Sequence, residues 1–206
     1  MSELTPLFDS ADYFESRTRP IRGTGVFALH LLVQLVGMYV GVTLLFDQVE
    51  NLDPALEREV MSAVSGVLFV SAIVLVIGWV VVAAVVHYGS GGSRTTGTFA
   101  DALTVSGWAY APNVVAFPLL FLYQWRHIQQ VSFDGSDPER LVTEFEAMQA
   151  EMTMSPFPFL VLIAVTVWSV YILAYGVAET HEVPVETAAM PAIAVGVGSF
   201  LLALLG

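Results

Sequence analysis

Few polar residues that could do chemistry lie within the apolar stretches of this chain, and two groups stand out. Tyr110 and Asn113 flank Pro112, whose ring nitrogen cannot donate to the carbonyl one turn earlier. A phenol and an amide beside a free carbonyl could bind a polar solute or cover the break. His30 and Gln34 lie one helical turn apart, where an imidazole could relay protons or donate to a neighbouring helix. For both groups we favour the packing interpretation over a site.

The remaining residues argue against an enzyme, a metal centre and a bound cofactor. The chain has no cysteine, which excludes disulfides, thiolate metal sites and cysteine nucleophiles. The histidines lack metal-ligand spacing and are predicted to be isolated from one another: His30, His87, His127 and His181. Glu179, His181 and Glu182 predict a solvated acidic loop. No serine has a nearby histidine and carboxylate in a recognisable nucleophile motif.

The elements that must position these residues are membrane helices. Of the 206 residues 56% are hydrophobic and 13% charged, about half the charge density of soluble domains, where about a quarter of residues are charged. The net charge of −12 excludes the basic surface of a nucleic-acid binder. All basic residues are arginine, and this acidic, lysine-free composition favours a halophilic source.

Five apolar segments are long enough to cross a hydrocarbon core about 30 Å thick. They run approximately over residues 24–46, 60–86, 103–123, 157–178 and 188–205. We therefore predict an all-α fold, a polytopic membrane helical bundle with five transmembrane helices. Residues 1–23 form a short acidic segment, and residues 24–206 form the membrane domain.

Arginines just before the first span predict the orientation of the chain. Arg17, Arg19 and Arg22 favour a cytoplasmic N-terminus by the positive-inside tendency. An odd number of spans then places the C-terminus outside, in a multi-pass protein of the cell membrane.

Small residues predict where helices pack closely. Gly37 and Gly41 form a GxxxG pattern on the same face as His30 and Gln34, and we interpret the four as a helix-packing seam. The last span carries a similar face of small residues, so contacts within the chain or with a second copy in a homo-oligomer both stay open.

The connections carry their own signals. Asp53-Pro54 and Asp137-Pro138 each supply an N-cap followed by a proline suited to the first helical turn. The second should begin an amphipathic connecting helix, Pro138 to about Thr153, with an apolar face of Leu141, Phe145, Met148 and Met152. The Gly/Ser-rich segment 89–93 predicts a flexible linker.

The segment 97–112 resembles the Yip family, the Ypt-interacting proteins, in its Gly-rich turn, Thr-Phe pair and following helix. Gly107, Trp108, Tyr110 and Pro112, with Asn113 beside them, form the part of the third span that carries this likeness. The resemblance implies a five-span scaffold, which in eukaryotic relatives binds prenylated small GTPases and takes part in vesicle traffic. Because the N-terminal region is here reduced to about 20 residues, it implies the fold more than the role.

We therefore predict a non-enzymatic integral membrane scaffold or interaction protein, with the lipid bilayer and a membrane or cytoplasmic protein as partners. The alternative is a small-solute permeation protein that uses the broken third span, since discontinuous helices can expose backbone groups to a substrate. The spans contain no Asp, Glu, Lys or Arg, which argues against ion coupling.

Overall fold

The computed structural model describes residues 6–15 and 20–205. Arg17 and Arg19, on which the predicted orientation partly depends, lie outside these residues. The five predicted spans are confirmed as helices long and apolar enough to cross a membrane: Arg22–Phe46, Pro54–Gly89, Phe99–Ile128, Pro156–His181 and Val185–Leu204. The chain is thus an all-α polytopic protein.

Its helices follow one another with short connections. In chain order they are α1 (Ser10–Glu15), α2 (Pro20–Phe46), α3 (Pro54–Gly89), α4 (Phe99–Trp108), α5 (Ala111–Ile128), α6 (Pro138–Met154), α7 (Pro156–His181) and α8 (Val185–Leu205). Two short strands, β1 (Val49–Glu50) and β2 (Phe133–Asp134), lie in the first and third connections between spans. The helix that begins after Asp53 runs straight into the second span, and the Asp53 carboxylate accepts from the Ala55 N–H at 2.7 Å.

The third span is broken, as its prolines predict. It consists of α4 and α5, separated at Ala109 and Tyr110. Pro112 is the second residue of α5, in the first helical turn, where a missing N–H costs no helical hydrogen bond. A second proline, Pro118, lies inside α5, which continues through it.

A short turn precedes α4, and a side chain caps the N-terminus of the helix. Gly91 and Gly92 have positive φ angles of 113° and 56°, which glycine adopts without a Cβ penalty. The segment predicted as a flexible linker therefore adopts a short 3-10 turn, Gly92–Arg94. Thr98 then caps α4 in a reciprocal capping box with Asp101, so the Thr-Phe pair marks a helix start.

The chain divides into two compact units, of which the first comprises Met1–Leu31, Leu75–Val115 and Leu162–Gly206. Its core is built largely of small and β-branched residues on α3, α4, α7 and α8, such as Ala83, Ala102, Val105, Val177 and Ala192, each fully buried. Small residues let neighbouring helices approach closely where hydrophobic driving force between them is weak.

The second unit comprises Leu32–Val74 and Ala116–Val161. Here β1 and β2 pair in parallel, with Val49 opposite Phe133. The predicted amphipathic helix is confirmed as α6, and Leu141 and Met148 are buried against Phe133. Its N-cap is Asp137, as predicted. In the turn before it, the N–H of Ser136 donates to Asp134 and lowers the pKa of that exposed carboxyl.

Candidate functional site

The break in the third span is the candidate site, and it is filled by packing. Trp108, Ala109 and Ala111 are 7%, 5% and 6% exposed, and Pro112 is fully buried. The Ser169 hydroxyl on α7 donates to the Ala109 carbonyl at 2.7 Å. The sequence predicts a neighbouring hydroxyl, the Asn113 amide or water at the freed Trp108 carbonyl. In the structure the hydroxyl bond reaches the next carbonyl, that of Ala109, and Asn113 is half-buried beside it.

Gly107 lies where α4 crosses α2, and it lets the backbones of the two helices come into contact. A Cβ at Gly107 would meet the Gly23 carbonyl oxygen, and a Cβ at Gly23 would meet the Thr104 backbone. Side chains cannot be accommodated where two backbones touch, so both positions require glycine. The sequence motif contained one member of this pair, and Gly23 was missed.

His30 and Tyr110 belong to a stack of aromatic rings beside the break. The His30 ring stacks on Tyr110 with centroids 4.9 Å apart, and Phe27 meets Tyr110 edge-on at 5.3 Å. Phe27 in turn stacks on Trp79 at 4.4 Å, and the Trp79 indole donates to the Leu103 carbonyl at 3.1 Å. The hydrogen bond expected from His30 to a neighbouring helix is not found among the described residues. Its ring, on a residue that is 7% exposed, packs by stacking instead.

The N-terminal segment packs against the same region, which sequence reasoning missed. Tyr13 on α1 meets Trp108 edge-on at 5.4 Å. Phe14 is 2% exposed and faces Gly176 and Val105. The Trp168 indole donates to the Leu7 carbonyl at 2.6 Å. Two adjacent aromatic residues in an otherwise acidic leader were the signal that could have indicated this docking.

The four residues predicted as a packing seam all lie on α2, where their surroundings differ. Gly37 faces the Phe117 ring, at 2.6 Å from a built Cβ, whereas nothing lies within 4 Å of such a Cβ at Gly41. Gln34 is exposed. The GxxxG pattern therefore gives one contact with a side chain and no close approach of backbones.

The prediction that the four histidines are isolated from one another is wrong for one pair. Nδ1 of His87 lies 2.9 Å from Nε2 of His181, although the two are 94 residues apart. His181 is the last residue of α7 and 1% exposed, so it does not belong to a solvated acidic loop. Among the described residues, no group of three or more His, Cys, Asp or Glu side chains could hold a metal ion.

Comparison with known proteins bears on this geometry. A family model described as the Yip1 domain matches residues 7–205. The chain belongs to the Yip1 domain family. Curated proteins gave no match, and solved structures gave none either. The matched range begins before α1, so the segment that packs on the break lies within the Yip1 domain.

In this Yip1 domain, Ser169→Ala tests how far the break depends on its hydrogen bond. The substitution leaves the Ala109 carbonyl buried without a donor, which should lower the free energy of unfolding by about 1–3 kcal/mol. Unfolding in mixed detergent micelles measures the difference. Ser65→Ala is the control, because Ser65 is exposed and its hydroxyl donates only to the Met61 carbonyl of its own helix. Equal effects of the two substitutions would contradict a specific role for Ser169.

Proposed function

We propose that this Yip1 domain is a non-enzymatic membrane scaffold that recruits or organises protein partners in the bilayer. The observation that carries the proposal is the sealed third span. A broken helix that serves a substrate exposes its freed backbone groups to a cavity. Here the Ala109 carbonyl is bonded to Ser169, and Trp108 and Pro112 on either side are buried.

An apolar groove between two helices supports the same conclusion. It has a volume of about 380 Å³, lies between α7 and α8, and is lined almost entirely by apolar side chains such as Val167, Val170 and Ile193. Such a lining suits lipid or apolar packing, since a polar solute would lose its hydration there without replacement hydrogen bonds. A small-solute permeation protein is therefore the less favoured function.

A flux assay tests this choice directly. In proteoliposomes, glycerol, urea and small amino acids should enter no faster than into protein-free liposomes, with a known channel as the positive control. Solute entry several-fold above the protein-free rate would contradict the scaffold and favour permeation.

A second measurement addresses partner binding. Tyr88, at the end of α3, is 72% exposed and offers a position for a photo-reactive phenylalanine. We expect a discrete protein adduct from this position in cells. Leu202 on α8 is equally exposed, at 72%, and serves as the control on an apolar helix face that should contact lipid alone. Adducts of the same pattern from both positions would contradict a defined partner surface.

We also propose that the N-terminus lies in the cytoplasm and the C-terminus outside the cell membrane. The support is the arginine-rich entry to the first span together with five spans. A phosphatase reporter fused after Gly206 should then be active outside the cytoplasm. A cytoplasmic reporter at that position would reverse the orientation.

A further inference from the structure

Two buried histidines join the ends of two spans through one hydrogen bond. His87 lies two residues before the end of α3 and His181 at the end of α7, and they are 7% and 1% exposed. Their facing nitrogens, Nδ1 of His87 and Nε2 of His181, are 2.9 Å apart. Gly97 lies so close that a Cβ there would meet the His181 ring. The pair is thus held in place by its surroundings.

Neighbouring groups fix which nitrogen donates. The Thr180 hydroxyl lies 2.7 Å from the Gly176 carbonyl, which can only accept, so that bond uses the single hydroxyl proton. The Thr180 oxygen then accepts from Nδ1 of His181, 3.1 Å away. Neutral His181 therefore has its proton on Nδ1, and its Nε2 accepts from Nδ1–H of His87.

This arrangement tolerates one added proton and not two. A first proton can bind Nε2 of His87, which leaves Nδ1–H donating to His181 and strengthens that bond by charge. A second proton must bind Nε2 of His181, where it faces the N–H of His87. The hydrogen bond is then lost, and two positive rings face each other at close range.

The pair lies near the ends of its two spans. The apolar stretches of the sequence run to about residues 86 and 178, just before each histidine. Tyr88 is 72% exposed and contacts the His87 ring edge-on at 5.1 Å. The Asp101 carboxylate on α4 acts electrostatically on His181, and Glu179 and Glu182 flank His181 along the chain.

We propose that His87 and His181 form a proton-operated latch between α3 and α7. In this latch the hydrogen bond between the two rings is kept with at most one charged ring. It is lost when both rings are charged. The unfolded chain can take up both protons near the ordinary histidine pKa of about 6.5, so acidification favours unfolding. The latch is independent of whether the protein is a scaffold or a permease.

The test compares the pH dependence of unfolding in wild type and His87→Gln, in detergent with a chelator present. A Gln amide donates to neutral His181 and, after rotation, accepts from charged His181, so it bonds both states. Between pH 7.5 and pH 5 the unfolding equilibrium constant of wild type should rise about tenfold more than that of His87→Gln, the effect of one unit of pKa difference. His30 is present in both proteins, so its titration cancels in the comparison. The same pH dependence of the unfolding equilibrium constant in wild type and His87→Gln would overturn the proposal.

His127→Gln is the matched control, because His127 lies in the second unit, stacked on Tyr123. Its profile should follow that of wild type, and a flattened profile would overturn the assignment to the pair. If His87→Gln does not fold, ¹⁵N NMR of wild type with labelled histidine rings decides. At pH 7.5 two rings should carry their protons on Nδ1 and be coupled across a hydrogen bond. Uncoupled rings would overturn the proposal.

Discussion

Gly107→Ala should lower the free energy of unfolding by about 3 kcal/mol or more, at the upper end of the range for overpacking. The added Cβ would meet the Gly23 carbonyl oxygen. A side chain in its place could rotate away, but a backbone carbonyl moves only if α2 and α4 separate. Unfolding in mixed micelles, followed by circular dichroism, measures the loss.

Gly41→Ala and Gly198→Ala are the matched controls, since nothing lies within 4 Å of a Cβ built at either position. Replacing an unhindered helical glycine by alanine should stabilise the protein by about 0.5–1 kcal/mol, because alanine loses less backbone entropy on folding. The sign of the effect should therefore differ between Gly107 and the controls. Stabilisation by Gly107→Ala would show that the two backbones are not in contact.

Phe14→Ala should be nearly as severe. The ring is 2% exposed and packs against Tyr13, Val105 and the surface left open by Gly176. Truncating a buried phenylalanine costs about 3–5 kcal/mol through lost burial and the cavity left behind. The same unfolding measurement applies, and limited proteolysis should show faster cleavage within residues 6–15.

Phe8→Ala is the control within the same segment, because Phe8 is 80% exposed and its ring contacts Trp168 at 5.8 Å. It should cost less than about 1 kcal/mol, the range for most exposed substitutions and single aromatic contacts. Equal, small losses for the two variants would mean that α1 does not belong to the folded core.

Local pattern was enough to predict most of the helices. The spans follow from runs of apolar residues, and the break follows from Pro112, which cannot serve as an interior helix donor. The face of α6 follows from the spacing of Leu141 and Met148, both of which are buried. Each of these features depends on residues within one or two helical turns of one another.

The contacts of the candidate site depend on residues far apart in the chain, which no local pattern reveals. Leu7 and Trp168 are separated by 161 residues, and His87 and His181 by 94. Glycine spacing alone does not locate close helix contacts, because a glycine permits close approach only where a partner backbone is present. Gly41 has none, whereas Gly107 meets Gly23.

The proposed scaffold function predicts that the break in the third span is closed to water. Because the chain has no cysteine, a single Ala109→Cys substitution reports on this position alone. We expect no labelling of the folded protein by a charged, membrane-impermeant thiol reagent from either side, and full labelling after unfolding, since the reaction requires a hydrated thiolate. Ser93→Cys, at an exposed position before α4, is the control and should label rapidly. Labelling of Ala109→Cys in the folded protein at a rate close to that of Ser93→Cys would contradict the sealed break and, with it, the scaffold.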